Sequence, residues 1–401
     1  MMPRCLISML LVGPLLGIAT GDEPRSPDTD PRAEIVGRIV RATLSEKATY
    51  ASLSALTRIA PHRLSGSPGA AAAVEWARQE MTDAGFSNVR LEPCTVPRWD
   101  RGDIAELRFA EPMGLAEPLP ILALGGSEPT PTEGITAEVL VVADFDELTR
   151  RRDEAVGKIV LFDHPMVATD PSTFAAYSDA VVYRTRGAHE AAKAGAVAAI
   201  VRSMTTRLDD VPHTGAMRYL EGPTKIPTAA VSTLGAERIA RQVRAGRRVV
   251  LFFRQSCRNL GDAPSFNVVG DIPGRERPDE IVLVGGHLDG WDVGQGAHDD
   301  GAGSCQAISS MRTLARLGLR PRRTLRCVLF MNEENGLAGA RAYLDAHREE
   351  LDRHIFGIES DRGGFTPRGF STDASPEAFA VLSDIVSLLG ETGADRLDRG
   401  R

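Results

Sequence analysis

The spacing of apolar residues changes along the chain and separates three blocks. In residues 33–60 and 70–85, Ala and Leu recur at helical spacing, so both stretches are read as helices. The run Arg63-Leu64-Ser65-Gly66-Ser67-Pro68-Gly69 between them has the composition of a turn, and residues 88–113 hold short strand-like runs. From 117 to 256 the pattern becomes short β-branched runs bounded by turn residues: Val139–Val142, Ile159–Phe162, Val197–Val201, Ala229–Val231 and Val249–Phe253. Helical stretches at 187–195 and 233–245 interrupt them, and Pro/Gly/Thr-rich sequence at 125–134 marks the boundary of a block that could fold alone. From 263 onward the alternation is regular. Ile281–Val284 is continuously apolar, as expected for a strand buried on both faces. A helix over 301–317 follows, with Cys305, Ile308, Met311, Leu314 and Ala315 as its apolar stripe. Then come a strand at Thr324–Met331, a helix at 336–347, a strand at Ile355–Ile358 and a helix-like stretch at Pro376–Leu389. Strand, helix, strand, helix, strand predicts a parallel α/β sheet.

The N-terminus changes the picture of where the protein works. Arg4 precedes Leu6–Ile18, an apolar stretch too short for a bilayer core of about 30 Å, and Ala19-Thr20-Gly21 offers small residues for cleavage. Residues 1–21 are therefore expected to be a secretory signal and the protein to be secreted or periplasmic. The Pro- and Asp-rich segment 22–32 reads as a linker. No later stretch is apolar enough for a transmembrane helix. The 47 Lys and Arg residues against 54 Asp and Glu give a formal charge of −7, which argues against a nucleic-acid or anionic-membrane partner. Beyond Cys5, the four remaining cysteines are too few for a disulfide framework, and no pair has zinc-finger spacing.

The acidic and histidine residues fall in a pattern. His287 and Asp289 lie just beyond the first strand of the third block, Asp299 and Asp300 just before the helix, Glu333 and Glu334 directly after the second strand, and Asp361 after the third. All are at the carboxyl ends of parallel strands, where open α/β sheets form their ligand crevice. So many carboxylates repel one another unless a cation lies among them. An imidazole nitrogen with carboxylate oxygens is a zinc-type ligand set, and two cations about 3.5–4 Å apart suit hydrolysis. Any one of these acids alone reads equally well as a helix cap or a solvated charge. Taken together, with Gly-rich turns at 285–286 and 294–303, they favour metal. His298 reads as a loop side chain rather than a ligand, and His62, His164, His189, His213, His347 and His354 as surface or structural residues. No Gly-x-Ser-x-Gly elbow, phosphate-binding loop or His-Glu-x-x-His helix occurs.

The runs Gly286-His287-Leu288-Asp289, Gln295-Gly296-Ala297-His298-Asp299-Asp300-Gly301, Asn332-Glu333-Glu334-Asn335-Gly336 and Glu359-Ser360-Asp361 resemble the M28 family of zinc peptidases. Leu64-Ser65-Gly66-Ser67, Trp291-Asp292-Val293-Gly294-Gln295-Gly296 and Leu317-Gly318-Leu319-Arg320-Pro321 point to one subgroup of it, and the resemblance extends over about residues 35–395. It implies an α/β zinc-peptidase domain with a mostly parallel central sheet flanked by helices. That domain would be made of residues 33–116 and 257–401 and interrupted at 117–256 by an inserted α/β domain like the protease-associated (PA) domain. It further implies that His287, Asp299, Glu334 and Asp361 hold two Zn2+ ions with Asp299 bridging, that Glu333 is the general base and that Asp289 orients His287. The implied substrate is a short peptide, foremost a dipeptide, and the implied assembly a homodimer. The family pattern has one more His ligand, well beyond the third-strand Asp. No His follows Asp361 here, so an incomplete shell and a truncated peptidase domain are expected. Two other readings stand beside this one: a non-catalytic peptidase-like binding protein, and an aminopeptidase of the same family.

Overall fold

A computed structural model describes residues 30–114, 117–167, 173–361 and 366–400. The signal-like segment and most of the linker lie outside the described residues. Among those described, no helix is long and apolar enough to cross a membrane. They fall into two compact units: one from Thr43 to 361, and a smaller one that joins residues 30–42 to 366–400.

The described residues begin with three helices, α1 (Pro31–Ser45), α2 (Ala48–Ile59) and α3 (Pro68–Asp83). α3 starts where it does because Ser67 Oγ accepts from the Ala70 N–H at 3.1 Å and Pro68 occupies the first turn. The strands β1 (Ser87–Asp100), β2 (Ala105–Glu111), β3 (Ile121–Ala123) and β4 (Ile135–Val142) follow, then α4 (Phe145–Arg150), β5 (Ile159–Phe162), α5 (Thr173–Lys193), β6 (Ala198–Arg202) and β7 (Thr228–Val231). Next are α6 (Thr233–Arg244), β8 (Val250–Gln255), β9 (Arg258–Ile272), β10 (Arg277–His287), α7 (Gly303–Arg316), β11 (Arg323–Phe330), α8 (Ala338–Ala346) and β12 (His354–Glu359). In the smaller unit β13 (Gly369–Thr372) and β14 (Arg396–Arg399) pair in parallel, α9 (Pro376–Ser387) lies between them in sequence, and Arg32 is ion-paired to Asp384 at 2.7 Å.

The larger unit holds two sheets. The first has five strands in the order β1-β9-β11-β10-β12. β10 is parallel to both β11 and β12, as the strand–helix–strand pattern predicts, and β9 runs antiparallel to β11 and to β1. The β9 strand has no counterpart among those expected from the sequence. Its first half is polar and exposed, so it lacks the apolar run that marks a buried strand. Alternation along β11 splits the core. Cys327 and Leu329 face α2, α3 and α7, among Leu56, Met81, Phe86, Ile308 and Met311. Val328 and Phe330 face Tyr343 of α8 with Val269. Cys94, Cys257, Cys305 and Cys327 are all buried and free.

The second sheet has seven strands in the order β2-β8-β4-β5-β6-β7-β3, and β4 to β7 run parallel. Phe162, Tyr183 and Ala191 fill one face against α5; Leu161, Ile239 and Phe253 fill the other against α6. This sheet takes in Ala105–Glu111, ahead of the 117 boundary expected from the sequence. Its entry and exit strands lie side by side, with Ala105 opposite Gln255.

Asn267, fully buried on β9, fastens the end of β11 to the start of α8. Its Nδ2 donates to the Gly339 carbonyl at 2.8 Å and its Oδ1 accepts from the Met331 N–H at 3.0 Å. The loop thus closed carries Glu333 and Glu334. Asn267→Ala strands both main-chain groups, at about 1–3 kcal/mol each. Chemical denaturation of the variant should show a loss of that size, and a midpoint equal to the parent's would remove this role.

Candidate metal centre

His287 ends β10 and is 1 % exposed. Its Nδ1 lies 3.1 Å from the Asp289 carbonyl. A carbonyl only accepts, so Nδ1 donates to it, and Nε2 faces the acids. Nε2 is 3.0 Å from Asp299 Oδ1, 3.5 Å from Asp361 Oδ1 and 4.0 Å from Glu333 Oε2. Donor atoms of His287, Asp299 and Asp361 all lie within 4.8 Å of one another. The parallel register explains the convergence. Gly285 pairs with both Val328 and Glu359, so the three strands end level and their following residues meet. Gly303 permits the last approach, because a β-carbon there would collide with the Ser360 carbonyl next to Asp361.

The other acids have different tasks. Asp289 is fully buried, and its carboxylate accepts from the Glu333 N–H at 3.0 Å and the Glu334 N–H at 3.2 Å. It therefore holds the Glu333-Glu334 turn directly, while its Oδ1 stands 3.7 Å from His287 Nδ1. Asp300, also buried, accepts from the His287 N–H at 2.9 Å and the Gly303 N–H at 3.0 Å, tying the strand end to the start of α7. His298 is exposed, on the short π-helical segment Ala297–Ala302 that leads into α7, and lies outside the convergent group.

Burial first, and crowding of like charge after it, show in the proton affinities of the acids. Burial pushes Asp300 up to about 8. Burial, then the charge of Asp299, pushes Glu334 up to about 9. Glu333 is raised as well, by burial together with the charges of Asp361, Asp289 and Asp299 and against the pull of His287. Burial works against a charged His287, but the carboxylates of Asp289, Asp299 and Asp361 outweigh it and hold the imidazole far above its usual range. Oε1 of Glu334 is buried without a hydrogen-bond partner. A buried carboxylate oxygen left unpaired is costly, and beside an imidazole and further carboxylates it is the donor a divalent cation would take. The residues present therefore fit a metal.

Two features of the site were not found from the sequence. Arg63, read as part of a turn, is fully buried. Its Nε donates to the Leu288 carbonyl at 2.7 Å, Nη1 to Gln295 at 2.7 Å and Nη2 to Gly296 at 2.5 Å. It fixes both ends of the loop that leads to Asp299. Burial lowers its pKa, and the charges of Asp289, Asp300 and Glu334 oppose that. Ser65 is the second feature. Its hydroxyl accepts from Asn332 Nδ2 at 2.9 Å and donates to Asn335 Oδ1 at 2.8 Å, bracketing the two glutamates. The Leu64-Ser65-Gly66-Ser67 run was the available signal, since it stands out without any chemistry of its own.

Comparison with known proteins agrees with this geometry. Residues 267–396 match Peptidase family M28. The chain is 41 % identical over 359 residues to carboxypeptidase Q of Bos taurus, which covers 89 % of this chain and 74 % of that protein. The chain belongs to peptidase family M28. The human carboxypeptidase Q is likewise 41 % identical, over 86 % of this chain and 71 % of its own length. A crystal structure of a peptidase M28 precursor from Shewanella amazonensis superposes with a TM-score of 0.87 at 33 % identity, covering 94 % of this chain and 84 % of that one. A zinc aminopeptidase from Bacillus subtilis shares the fold, with a TM-score of 0.63 at 21 % identity over 88 % of this chain and 79 % of its own. As an M28 member the protein is a metallopeptidase of mixed α/β fold.

In the metal-free M28 chain Asp300, Glu334 and His287 all bind protons more tightly folded than unfolded. Protonation therefore favours the folded form. That contribution is complete below the ordinary carboxylate range and is lost as pH rises through the raised values. The urea midpoint of metal-free protein should fall between about pH 5 and about pH 9. A saturating divalent cation should abolish the fall, because it binds the deprotonated ligands. A flat or rising midpoint without metal would contradict the arrangement.

Proposed function

We propose that this protein is an exported metallopeptidase that hydrolyses short peptides, dipeptides foremost, at a binuclear zinc centre. The observation that carries the reading is the convergence of His287, Asp299 and Asp361, with Glu333 beside them and a buried oxygen of Glu334 left without a partner. In this reading His287, Asp299 and Asp361 hold the first ion. Asp299, together with Glu334, would also hold the second. Zinc, when bound, polarises the scissile carbonyl and lowers the proton affinity of water. Glu333 takes the proton of the attacking water and returns it to the leaving amine. Its raised proton affinity suits that exchange. Asp289 keeps Glu333 and Glu334 aimed differently by gripping both of their main-chain N–H groups. The relatives' name, carboxypeptidase Q, supports release of a C-terminal residue. The apolar segment 6–18 supports export, and the side-by-side entry and exit of the second sheet support an inserted, PA-like domain.

The donor sets are unequal. Three side chains serve the first ion, which matches a catalytic site with one open position, and two serve the second. Zinc titration against a competing chelator should therefore show two steps, the second weaker by at least about tenfold. A chain that takes up no zinc would sink the reading.

Glu333→Gln removes the base and leaves the ligands. It should bind zinc like the parent and hydrolyse a dipeptide about 10²–10⁴ times more slowly. Near-parental turnover would exclude Glu333 as the base. Running the parent on dipeptides with free and with blocked amino termini separates the carboxypeptidase from the aminopeptidase reading, because only the latter needs the free amine.

A further inference from the structure

The loop that runs from Leu288 to Asp299 is gripped from two directions. Arg63 holds its main chain at Leu288, Gln295 and Gly296, and the Gly290 N–H returns to the Arg63 carbonyl at 3.3 Å. The second grip comes from the other sheet. Arg101 sits on the crossing between β1 and β2. It donates through Nε to Asp292 Oδ2 at 2.8 Å and through Nη2 to Asp292 Oδ1 at 2.6 Å. Its remaining Nη1 donates to the carbonyl of Ala123 on β3. One guanidinium thus ties the loop to the edge of the second sheet. The pair is largely shielded, with Arg101 10 % and Asp292 27 % exposed, so the paired, planar geometry matters as well as the charge.

The neighbouring residue repeats the connection by shape. Trp291 packs into an apolar cluster with Leu64, Trp99, Ala123 and Cys257. Its ring lies against Gly125, where a β-carbon would collide with it. Leu64 adjoins Arg63, Trp99 lies near the end of β1, and Ala123 belongs to the second sheet. Leu64, next to Arg63, and Ala123, whose carbonyl takes the Arg101 bond, therefore share one cluster with the loop's own Trp291. Beyond it, the Gly296 carbonyl accepts from Arg63 and from the Gly301 N–H at 3.0 Å, which brackets Asp299 between fixed points.

We infer that Arg101 is a positioning residue for the metal centre: through Asp292, and with Gly125 seating Trp291, the second sheet sets where Asp299 stands. The inference rests on the proposed metal reading and assigns that reading's inserted domain a task in it. Displacing the loop moves Asp299 while leaving His287 at the end of β10 and Asp361 just past β12, so the predicted effect falls on metal retention before it falls on folding.

The test uses the full chain and measures zinc retention against a chelator together with thermal midpoints. Arg101→Ala and Asp292→Asn should each weaken the tighter zinc about tenfold, as loss of a group supporting a metal ligand does. The double variant should be no worse than either single one, because both remove one contact. Arg101→Lys should recover part of the loss. Gly125→Ala, which shifts Trp291 without touching any charge, should produce a similar loss and stands in should Arg101→Ala fail to fold. Lys158→Ala breaks the Lys158–Glu138 pair elsewhere in the second sheet and should leave zinc retention unchanged. Parental retention in Arg101→Ala or in Gly125→Ala would overturn the inference, as would an equal loss in Lys158→Ala, which marks a general effect of weakening that sheet. Absence of zinc from the parent chain would overturn the metal reading itself.

Discussion

Like charges brought together at the ends of parallel strands are the constraint around which the larger unit is built. Asp299, Glu333 and Asp361 all lie within 4.0 Å of one imidazole nitrogen, and buried Asp289 and Asp300 stand behind them. Two unit charges 4 Å apart repel by about 4 kcal/mol at an effective dielectric constant of 20. The protein meets this with raised proton affinity at Asp300, Glu333 and Glu334, with two buried cationic side chains, His287 and Arg63, and with main-chain N–H groups turned toward the carboxylates. Each of these compensations has a position in the fold that makes it possible.

The main-chain donors matter most. Asp289 receives two N–H groups from the Glu333-Glu334 turn, and Asp300 receives one from β10 and one from the start of α7. These bonds turn each buried acid into a fastening between elements that are distant in sequence. The same carboxylates that would repel one another hold the site together, because their lone pairs are spent on the backbone. Arg63 does the complementary work, donating to three carbonyls of a loop that has no regular structure to satisfy them.

Much of this was readable beforehand, for a specific reason. The strands β10, β11 and β12 each carry a short apolar run with His or acidic residues at or just past its end, a pattern that reports both a strand of a parallel sheet and what stands at its end. His287, Asp289, Asp299, Asp300, Glu333, Glu334 and Asp361 could be picked out as a group on that basis, while the choice of ligands among them came from the family resemblance; the short β-branched runs of 117–256 likewise announced the second sheet. Arg63 could not be picked out, because a lone arginine in a turn reads as solvated surface and only the tertiary fold shows that it is enclosed. The β9 strand was hidden by its exposed, polar first half, and the two distinct uses of Asp289, carbonyl for His287 and carboxylate for the glutamate turn, depend on angles no spacing encodes. Trp291 and Asp292 stood out as a motif with no chemistry, and nothing in the pattern paired them with Gly125, in the boundary stretch at 125–134, or with Arg101, among the strand-like runs of 88–113.

The side-by-side placement of Ala105 and Gln255 has a consequence for how such a molecule can change. Asp100 already pairs with Arg258 in the first sheet, so the whole seven-stranded sheet leaves and rejoins its host across the width of a single ladder. Material could be lengthened, shortened or exchanged beyond that doorway with no rearrangement of the host's strands, since loop closure costs little once the ends are neighbours. What limits the exchange is one small patch of wall, the backbone around Ala123 and Gly125, against which the host leans. A change in the length of this segment would be felt at the doorway chiefly as a slowly rising closure cost, whereas a change at the Ala123–Gly125 wall would reach Trp291 and Asp292 directly.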